Sequence, residues 1–342
     1  MDFASDNVSG ACPEILRAVV AANEGAVPSY GEDDLTRRME ARFDEVFERR
    51  VVSVPVLTGT AANALALSVF VPGWGSVLCH EHAHIVVDEA NAPGFYTGGA
   101  TFELFSSADG KLTPEALAAR LPGGLGIVHH AQPRLVSLTQ STESGTIYTP
   151  DEVAALSALA HAHGLAVHMD GARFANAVAA LGCSPADLTW RAGVDVLSFG
   201  ATKNGALAAE AVILFDGTHR QELAHRRKRA GHLLSKMRFL SAQLDAYLAG
   251  DLWLSNAAHA NAAARRLAAG LASLPGLRLR HPVEANEVFI ELPEAMIEGL
   301  TEAGARFYRW DEAGPCIRLV TAWDTSAEAV DHFLAHARRL SY

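Results

Sequence analysis

The chain has 342 residues, of which 49% are hydrophobic and 20% are charged, so it can bury a large core and is expected to be globular. Its 39 acidic and 28 basic residues give a formal charge of −11, which argues against a nucleic-acid partner because phosphates require clustered positive charge. The basic residues 226–229 form too local a cluster to change that expectation.

The four cysteines and the N-terminus indicate a cellular compartment. Cys12, Cys79, Cys183 and Cys316 lack CxxC spacing, so neither a disulfide framework nor a zinc ribbon is expected. The first residues have no basic n-region followed by an apolar h-region, and no run reaches the ~18 apolar residues of a membrane span. We therefore predict a soluble, cytoplasmic protein with no membrane partner.

Short β-branched runs alternate with alanine- and leucine-rich stretches between about residues 50 and 215. This order predicts an α/β fold with βαβ units around a mostly parallel sheet. The predicted strands are residues 51–57, 76–79, 135–138, 166–169, 194–198 and 211–215. A helix is predicted from Thr149 to about His163, because acidic residues follow Thr149-Pro150 and Gly164 can end it.

The composition changes beyond about residue 250. An alanine-rich helix is predicted over residues 256–273, followed by a Pro-Gly turn and strands at 288–292 and 317–321. This pattern is typical of a small α+β domain. We expect an N-terminal arm and a large domain over residues 1–250, and a small domain over residues 251–342.

A lysine and an aspartate both stand at the carboxyl ends of predicted strands. Lys203 lies in the segment SFGATKNG (198–205), and Asp170 in LAVHMDGAR (165–173). The stretch between them has room for a crossover helix, predicted near residues 184–192, and a strand, so the two side chains should meet at one edge of the sheet. A lysine or an aspartate usually lies on the protein surface, but the apolar and glycine-rich segments around Lys203 and Asp170 disfavour a surface position here. This pairing is what a pyridoxal phosphate enzyme requires.

The segment TGTAAN (58–63) joins a predicted strand to a predicted helix. Small residues at a helix N-terminus leave backbone N–H groups free to bind a phosphate. Alone this signal is weak, and it gains weight from Asp170 and Lys203.

These residues resemble one family, the low-specificity L-threonine aldolases, which are pyridoxal phosphate enzymes of fold type I (aspartate aminotransferase-like). The similar segments, in chain order, are FASDN (3–7), YGED (30–33), AHI (83–85), SLTQ (137–140), GT (145–146), HMDGAR (168–173), SFGATKNG (198–205) and IRLVT (317–321).

The resemblance implies roles around the cofactor. Lys203 would form a Schiff base with the cofactor aldehyde, and Asp170 would pair with the ring nitrogen and keep it protonated. His84 would stack on the ring, and Arg173 would lie near the phenolic oxygen and the substrate. Lys203, His84 and Asp170 are thus three of the predicted catalytic residues.

The resemblance also implies an assembly. Gly59 and Thr60 would hold the phosphate, assisted by Lys228 or Arg238 from a neighbouring subunit. Tyr30 would also reach a neighbour's site and contact the substrate. A homo-oligomer is therefore expected, with a dimer of dimers implied by the resemblance.

For the substrate, Arg318 with Ser5 would bind the carboxylate, because a guanidinium can pair with it through two hydrogen bonds. The implied reaction is a reversible retro-aldol cleavage of the Cα–Cβ bond in L-threonine, L-allo-threonine or phenylserine, giving glycine and an aldehyde. The fourth predicted catalytic residue is His129, as the base that takes the β-hydroxyl proton, since an imidazole can accept a proton near neutrality. His130, His84 or a water ordered by Glu89 are alternatives.

Three other functions compete with this interpretation. The segment HEHAH (80–84) matches H-E-x-x-H, the zinc-protease pattern, but the β-branched residues 85–87 disfavour the helix that it needs, so no metal site is predicted. A β-eliminating lyase, racemase or aminotransferase could use the same scaffold. A cofactor-carrying regulatory protein is disfavoured because the expected catalytic positions are all occupied.

Overall fold

The computed structural model describes residues 1–121, 123–310 and 314–341. The strands are β1 Val52–Val56, β2 Gly75–His80, β3 Thr101–Phe105, β4 Gln132–Thr139, β5 Ala166–Gly171, β6 Val196–Gly200, β7 Glu210–Leu214, β8 Arg278–Leu279, β9 Glu287–Glu291, β10 Tyr308–Arg309 and β11 Cys316–Val320. The helices are α1 Pro13–Ala21, α2 Asp34–Val46, α3 Gly59–Phe70, α4 His84–Val87, α5 Ala92–Thr97, α6 Pro114–Arg120, α7 Pro150–Ala162, α8 Phe174–Leu181, α9 Arg220–Arg229, α10 Arg238–Leu248, α11 Leu252–Ala272, α12 Glu294–Glu302 and α13 Ala327–Leu340. Short 3₁₀ turns cover Asp6–Val8, Trp190–Ala192, Thr202–Asn204 and Ala249–Asp251.

The large sheet has the strand order β1-β7-β6-β5-β4-β2-β3 in the described part of the chain. Strands β3, β2, β4, β5 and β6 run parallel, and β7 is antiparallel to both β6 and β1. The predicted mostly parallel sheet is thus confirmed, with all six predicted strands present. Within this sheet only β3 was not predicted, because this edge strand is partly exposed along its length and lacks a continuous apolar run.

One predicted crossover helix was wrong. Between β5 and β6 the helix is α8, whereas residues 184–192 form turns and the 3₁₀ turn Trp190–Ala192. Pro185 lies in that stretch, where it cannot donate a backbone hydrogen bond, and its carbonyl accepts one from the Thr189 hydroxyl at 2.6 Å. Helix α7 agrees with its prediction: Thr149 and Glu152 form a capping box, and Gly164 follows the helix with a φ of +73°.

A second, antiparallel sheet with the order β10-β11-β9-β8 packs against α12, α13 and the C-terminal half of α11. Helix α11 begins four residues earlier than predicted, and its Trp253 and Ala257 belong instead to the main core. The N-terminal arm also contacts this smaller core, since Phe3 is buried against Phe333. The division at residues 250–251 stays a prediction, and residues 311–313 and 342 of the predicted small domain lie outside the described residues.

Each helix in the described ranges is too short or too polar to cross a lipid bilayer.

An aromatic cluster fills the main core behind the large sheet. Phe199 of β6 is fully buried, with its ring centroid 5.2 Å from that of Phe43 and 5.9 Å from that of Trp253. Other rings of the cluster are Phe47, Phe174, Phe215 and Tyr247. Edge-to-face contacts of this kind stabilise a core beyond the burial of apolar area. They also fix the strand that leads to Lys203.

The change Phe199→Ala is expected to lower the free energy of unfolding by about 3–5 kcal/mol, because it leaves a cavity in this cluster. Phe199→Leu keeps most of the volume and should lose only about 1–2 kcal/mol. Urea denaturation followed by tryptophan fluorescence measures both values. A loss below about 1 kcal/mol for Phe199→Ala would show that this ring does not lie at the centre of the core.

Candidate active site

The parallel register places the key side chains at one edge of the large sheet. Asp170 at the end of β5 is the Cα partner of Ser198 in β6, and Lys203 follows β6 in the turn Thr202–Asn204. Thr58 follows β1 at the same edge and caps α3. A cavity of about 290 Å³ opens there, and its lining includes the predicted residues Gly59, Thr60, His84, Asp170, Arg173 and Lys203.

Asp170 is held in place by N–H donors. It is only 4% exposed, and its carboxylate accepts hydrogen bonds from Asn63 Nδ2 at 2.8 Å and from the Ala172 backbone N–H at 3.1 Å. Asn63, on the buried first turns of α3, donates a second hydrogen bond to Glu89 Oε1 at 2.8 Å. The orientation of Asp170 towards the cavity therefore depends on the amide of Asn63, for which no role had been predicted.

His84 and Glu89 form a hydrogen-bonded pair beside Asp170. His84 Nδ1 lies 2.8 Å from Glu89 Oε1, and the Glu89 side chain is fully buried. This hydrogen bond raises the pKa of the His84 imidazole, while burial raises the pKa of Glu89. The backbone N–H of His84 donates to Glu143 Oε1 at 2.8 Å, which fixes the start of α4.

The zinc-protease pattern has no helix to carry it. His80 ends β2, whereas His84 begins the single helical turn α4, so the two imidazoles do not lie one turn apart on a helix. The physical reason given for rejecting the pattern was wrong in one respect, because the β-branched residues 85–87 do adopt that helical turn.

The N-terminus of α3 faces the cavity. Thr58 Oγ1 accepts a hydrogen bond from the Ala61 backbone N–H at 3.1 Å, and the helix starts at Gly59. A Cβ atom placed on Gly59 would meet no other atom within 4 Å, so the backbone is open to a ligand there. Free N–H groups at the start of a twelve-residue helix are suited to binding a phosphate.

Arg173 is clamped by two buried carboxylates. Its Nε and Nη2 donate to Asp6 at 2.8 and 3.1 Å, and its Nη1 lies 3.5 Å from Glu287 Oε2. Burial alone would raise the pKa of Asp6, but the charges of Arg173 and Lys203 outweigh it and lower that pKa below its usual value. Asp6 belongs to the similar segment FASDN, although no role had been predicted for it.

Arg318 continues this line of charges. Its Nη1 lies 3.8 Å from Glu287 Oε1 and its Nη2 donates to the Ala4 carbonyl at 3.5 Å, whereas its buried Nε has no hydrogen-bond partner. The guanidinium lies 5.6 Å from the ring centroid of Tyr308 and 5.4 Å from that of Trp310. Such a weakly hydrogen-bonded guanidinium has donors available for a carboxylate ligand.

Ser5 sits beside this line of charges on the N-terminal arm. Its hydroxyl caps the turn Asp6–Val8 by accepting a hydrogen bond from the Asn7 N–H at 3.1 Å, and Asn7 itself lines the cavity.

His129 lies away from the cavity of its own chain, and its predicted role as the base stays a prediction. His129 is exposed on the segment before β4, at the amino edge of the sheet, whereas the cavity lies at the carboxyl edge. The eight residues of β4 separate the two edges by roughly 26 Å. Neither His129 nor the adjacent His130 can therefore contact a ligand in the cavity of its own chain.

Three residues expected to act in a neighbouring subunit lie outside the cavity of their own chain. Lys228 Nζ lies 5.0 Å from the ring centroid of Tyr30, and Arg238 Nη1 donates to the backbone carbonyls of Glu24 and Gly25. Their roles in a partner's site stay predictions.

Two glutamates with buried carboxyl groups in the cavity wall were missed by sequence reasoning. Burial and the nearby charge of Asp170 raise the pKa of Glu143 to about 7, and burial raises the pKa of Glu210 to about 7. Glu210 Oε2 accepts a hydrogen bond from the Ala201 N–H at 2.9 Å. The available signal was an acidic residue at the head of the apolar run 211–215, which is unusual for a buried strand.

Known proteins resemble the whole chain. Residues 2–295 match the family described as β-eliminating lyase. The low specificity L-threonine aldolase of Pseudomonas aeruginosa is 46% identical over 328 residues, which cover 96% of this chain and 94% of that protein. The protein of the same name from Pseudomonas sp. (strain NCIMB 10558) is 44% identical over 336 residues, which cover 98% of this chain and 96% of that protein.

The solved structure of Leishmania major threonine aldolase has a TM-score of 0.93 at 29% identity, covering 100% of this chain and 99% of that one. This likeness confirms the predicted fold type I architecture. The family match, the two bacterial relatives and the shared fold agree with one another. The chain therefore belongs to the β-eliminating lyase family, within the group of low-specificity L-threonine aldolases.

Proposed function

We propose that this protein is a pyridoxal phosphate-dependent aldolase that cleaves L-threonine, L-allo-threonine and related β-hydroxy-α-amino acids to glycine and an aldehyde, reversibly. The observation that carries the proposal is the convergence of Lys203, Asp170 and the N-terminus of α3 on one polar cavity. An amine, a carboxylate and a phosphate site are the three groups that this cofactor needs from a protein. The names of the bacterial relatives support the same reaction.

The cavity wall fits a polar ligand. Buried oxygen atoms of Asn63, Glu89, Ser141 and Glu143 have no hydrogen-bond partner in the described structure, and all four residues line the cavity. Buried polar atoms are rarely left unpaired, so a ligand with several polar groups is expected to satisfy them. The oxygens of Asn63, Glu89 and Glu143 are acceptors, so they require groups that donate hydrogen bonds, such as a protonated ring nitrogen or an amine.

Each residue has a role toward pyridoxal phosphate. Lys203 would hold it through the side-chain amine, Asp170 would face the ring nitrogen, His84 would lie against the ring, and the N–H groups of Gly59 and Thr60 would bind the phosphate. When bound, this cofactor withdraws electrons from Cα of an amino acid and so stabilises negative charge there.

The arginine pair would orient the substrate. Arg318, assisted by Ser5 and Arg173, would bind the substrate carboxylate, and this fixes which bond at Cα is positioned for cleavage. Asp6 and Glu287 hold the two guanidiniums apart and neutralise them, so the arginines remain oriented without a ligand. Cleavage of Cα–Cβ requires the β-hydroxyl to lose its proton.

Within one chain, the base candidates that line the cavity are His84 and Glu89. We assign His84 as the base that takes the β-hydroxyl proton, because its imidazole is partly exposed to the cavity and Glu89 stabilises the imidazolium that forms. A water ordered by Glu89 remains the alternative route for that proton.

We also propose that the protein acts as a cytoplasmic homo-oligomer, as a dimer of dimers. Tyr30, Lys228 and Arg238 lie outside the cavity of their own chain, and the basic side chains would supply positive charge to a phosphate in a partner's cavity. The small-molecule substrate would then bind between subunits.

A second candidate, β-elimination, is favoured by the family description. Incubation of the purified protein with L-threonine distinguishes the two reactions. Stoichiometric glycine and acetaldehyde support the aldolase, whereas ammonia and a 2-oxo acid without aldehyde would assign an eliminating lyase.

The change Lys203→Ala is expected to abolish retention of pyridoxal phosphate through dialysis and to lower aldolase activity by roughly 10³-fold or more, because the covalent anchor is lost. Borohydride reduction followed by peptide mass spectrometry measures the anchor directly in the wild type. Lys111→Ala is the matched control, since Lys111 pairs with Glu152 outside the cavity. A cofactor label on another lysine would contradict the assignment.

The change Arg318→Lys is expected to raise KM for L-threonine about 10- to 100-fold, because the paired hydrogen bonds to the carboxylate are lost. The inhibition constant of glycine should rise in parallel, since glycine carries the same carboxylate. Arg309→Lys, at an exposed arginine paired with Glu294, serves as the control. Steady-state kinetics in which both variants match the wild type would exclude Arg318 from the substrate site.

The change Glu89→Gln tests the proton route through its pH dependence. The Glu89 hydrogen bond raises the pKa of His84, and only neutral His84 can accept a proton, so wild-type kcat/KM should rise as pH rises through that pKa. The glutamine variant should shift this acidic limb to lower pH by up to about 1 unit. Glu81→Gln is the control and should leave the acidic limb of the kcat/KM profile unchanged. If Glu89→Gln also leaves that limb unchanged, His84 is not the base.

A further inference from the structure

We propose that Glu210 is the proton acceptor for the Lys203 side chain, taking the ammonium proton that must leave before the amine can bond to a carbonyl carbon. This inference rests on the proposed function of Lys203 as the cofactor anchor. It adds a residue that lies in a different strand and that the roles above do not use.

The sheet register places Glu210 between two functional segments. As the first residue of β7, it is the Cα partner of Val56 in β1 on one side and of Gly200 in β6 on the other. Strand β1 leads into the Thr58 cap of α3, and β6 leads into the turn that carries Lys203. Glu210 and Lys203 both line the same cavity.

A hydrogen bond ties Glu210 to the lysine-bearing turn. Its Oε2 accepts from the backbone N–H of Ala201, which caps the turn Thr202–Asn204, at 2.9 Å. Thr202 Oγ1 also accepts from the Ala209 N–H at 3.1 Å, which binds the turn to the residue before Glu210. The Glu210 carboxylate is therefore tied to the backbone of the turn that carries Lys203.

Lys203 is the cation that acts most clearly on Glu210 among the described residues. Lys203 acts on it from the turn, and the phenol of Tyr247 lies near it on α10 with its own pKa raised. Its sheet neighbours Val56 and Gly200 carry no charge. Burial raises the pKa of Glu210 to about 7 despite the attraction of Lys203, so this carboxyl group can hold a proton at neutral pH.

The proton transfer needs no further reactant. One N–H bond of the Lys203 ammonium breaks, an O–H bond forms on the Glu210 carboxylate, and the electron pair stays on nitrogen. A half-buried ammonium and a buried carboxylate are converted into two neutral groups, and this conversion is favoured where desolvation penalises ions. The freed amine is then a nucleophile.

The change Glu210→Gln separates proton transfer from positioning. The glutamine oxygen can still accept from Ala201 N–H, but the amide cannot take a proton at neutral pH. The full-length protein is stripped of cofactor, mixed with pyridoxal phosphate, and followed by absorbance and by borohydride trapping from about pH 6 to about pH 9. At neutral pH the variant is expected to capture the cofactor about 10²-fold more slowly than the wild type.

The pH profile is the decisive measurement. The difference between Glu210→Gln and the wild type should shrink as pH rises, because solvent then removes the lysine proton without help. Glu210→Asp keeps a carboxylate on a shorter side chain and should recover part of the rate. Glu40→Gln, at a half-buried glutamate outside this cavity whose pKa is also raised, should capture cofactor at the wild-type rate.

Two outcomes would overturn the inference: a wild-type capture rate for Glu210→Gln at neutral pH, or a slowing by the same factor at every pH, which would indicate a structural role only. A different result would show that the proposed function itself is wrong. In that case the wild type itself would carry no borohydride-stable label on Lys203.

Discussion

The parallel alignment of β5 with β6 is the constraint on which the site depends. Because the two strands end at the same edge of the sheet, Asp170 and the turn carrying Lys203 face one cavity although the chain between them forms a helix. The aromatic cluster around Phe199 anchors β6 from behind, and Asn63 on α3 fixes the carboxylate from the front. The site is thus built on rigid elements, as precise positioning of reacting groups requires.

Charge compensation is the second organising feature. Isolated buried ions are costly, and here acidic and basic groups alternate: Asp6, Arg173, Glu287 and Arg318 form one line, while Glu210 and Lys203 line the same cavity. The arrangement keeps both guanidiniums oriented before any ligand arrives. It also leaves the Nε of Arg318 without a hydrogen-bond partner, so a substrate carboxylate can bind a guanidinium that is already oriented.

The fold alone does not select the reaction. Fold type I supports many chemistries, and the family match includes eliminating enzymes. What favours Cα–Cβ cleavage is the combination of a carboxylate-binding arginine, which sets the orientation of the amino acid, and a histidine-glutamate pair on the cavity wall, which can take a hydroxyl proton. Different parts of the chain therefore orient the substrate and accept its proton.

The sequence by itself determined the parallel sheet and the placement of Asp170, Lys203 and the α3 N-terminus, because apolar runs and glycine-rich ends are local signals. It did not reveal the edge strand β3, whose partly exposed residues lack an apolar run, and it misplaced the crossover helix. Only the tertiary structure decided that His129 lies at the far edge and that Glu143 and Glu210 enter the cavity wall. Which edge a loop occupies, and which carboxylates become buried together, depends on strand register and packing between distant segments, and local patterns alone do not determine it.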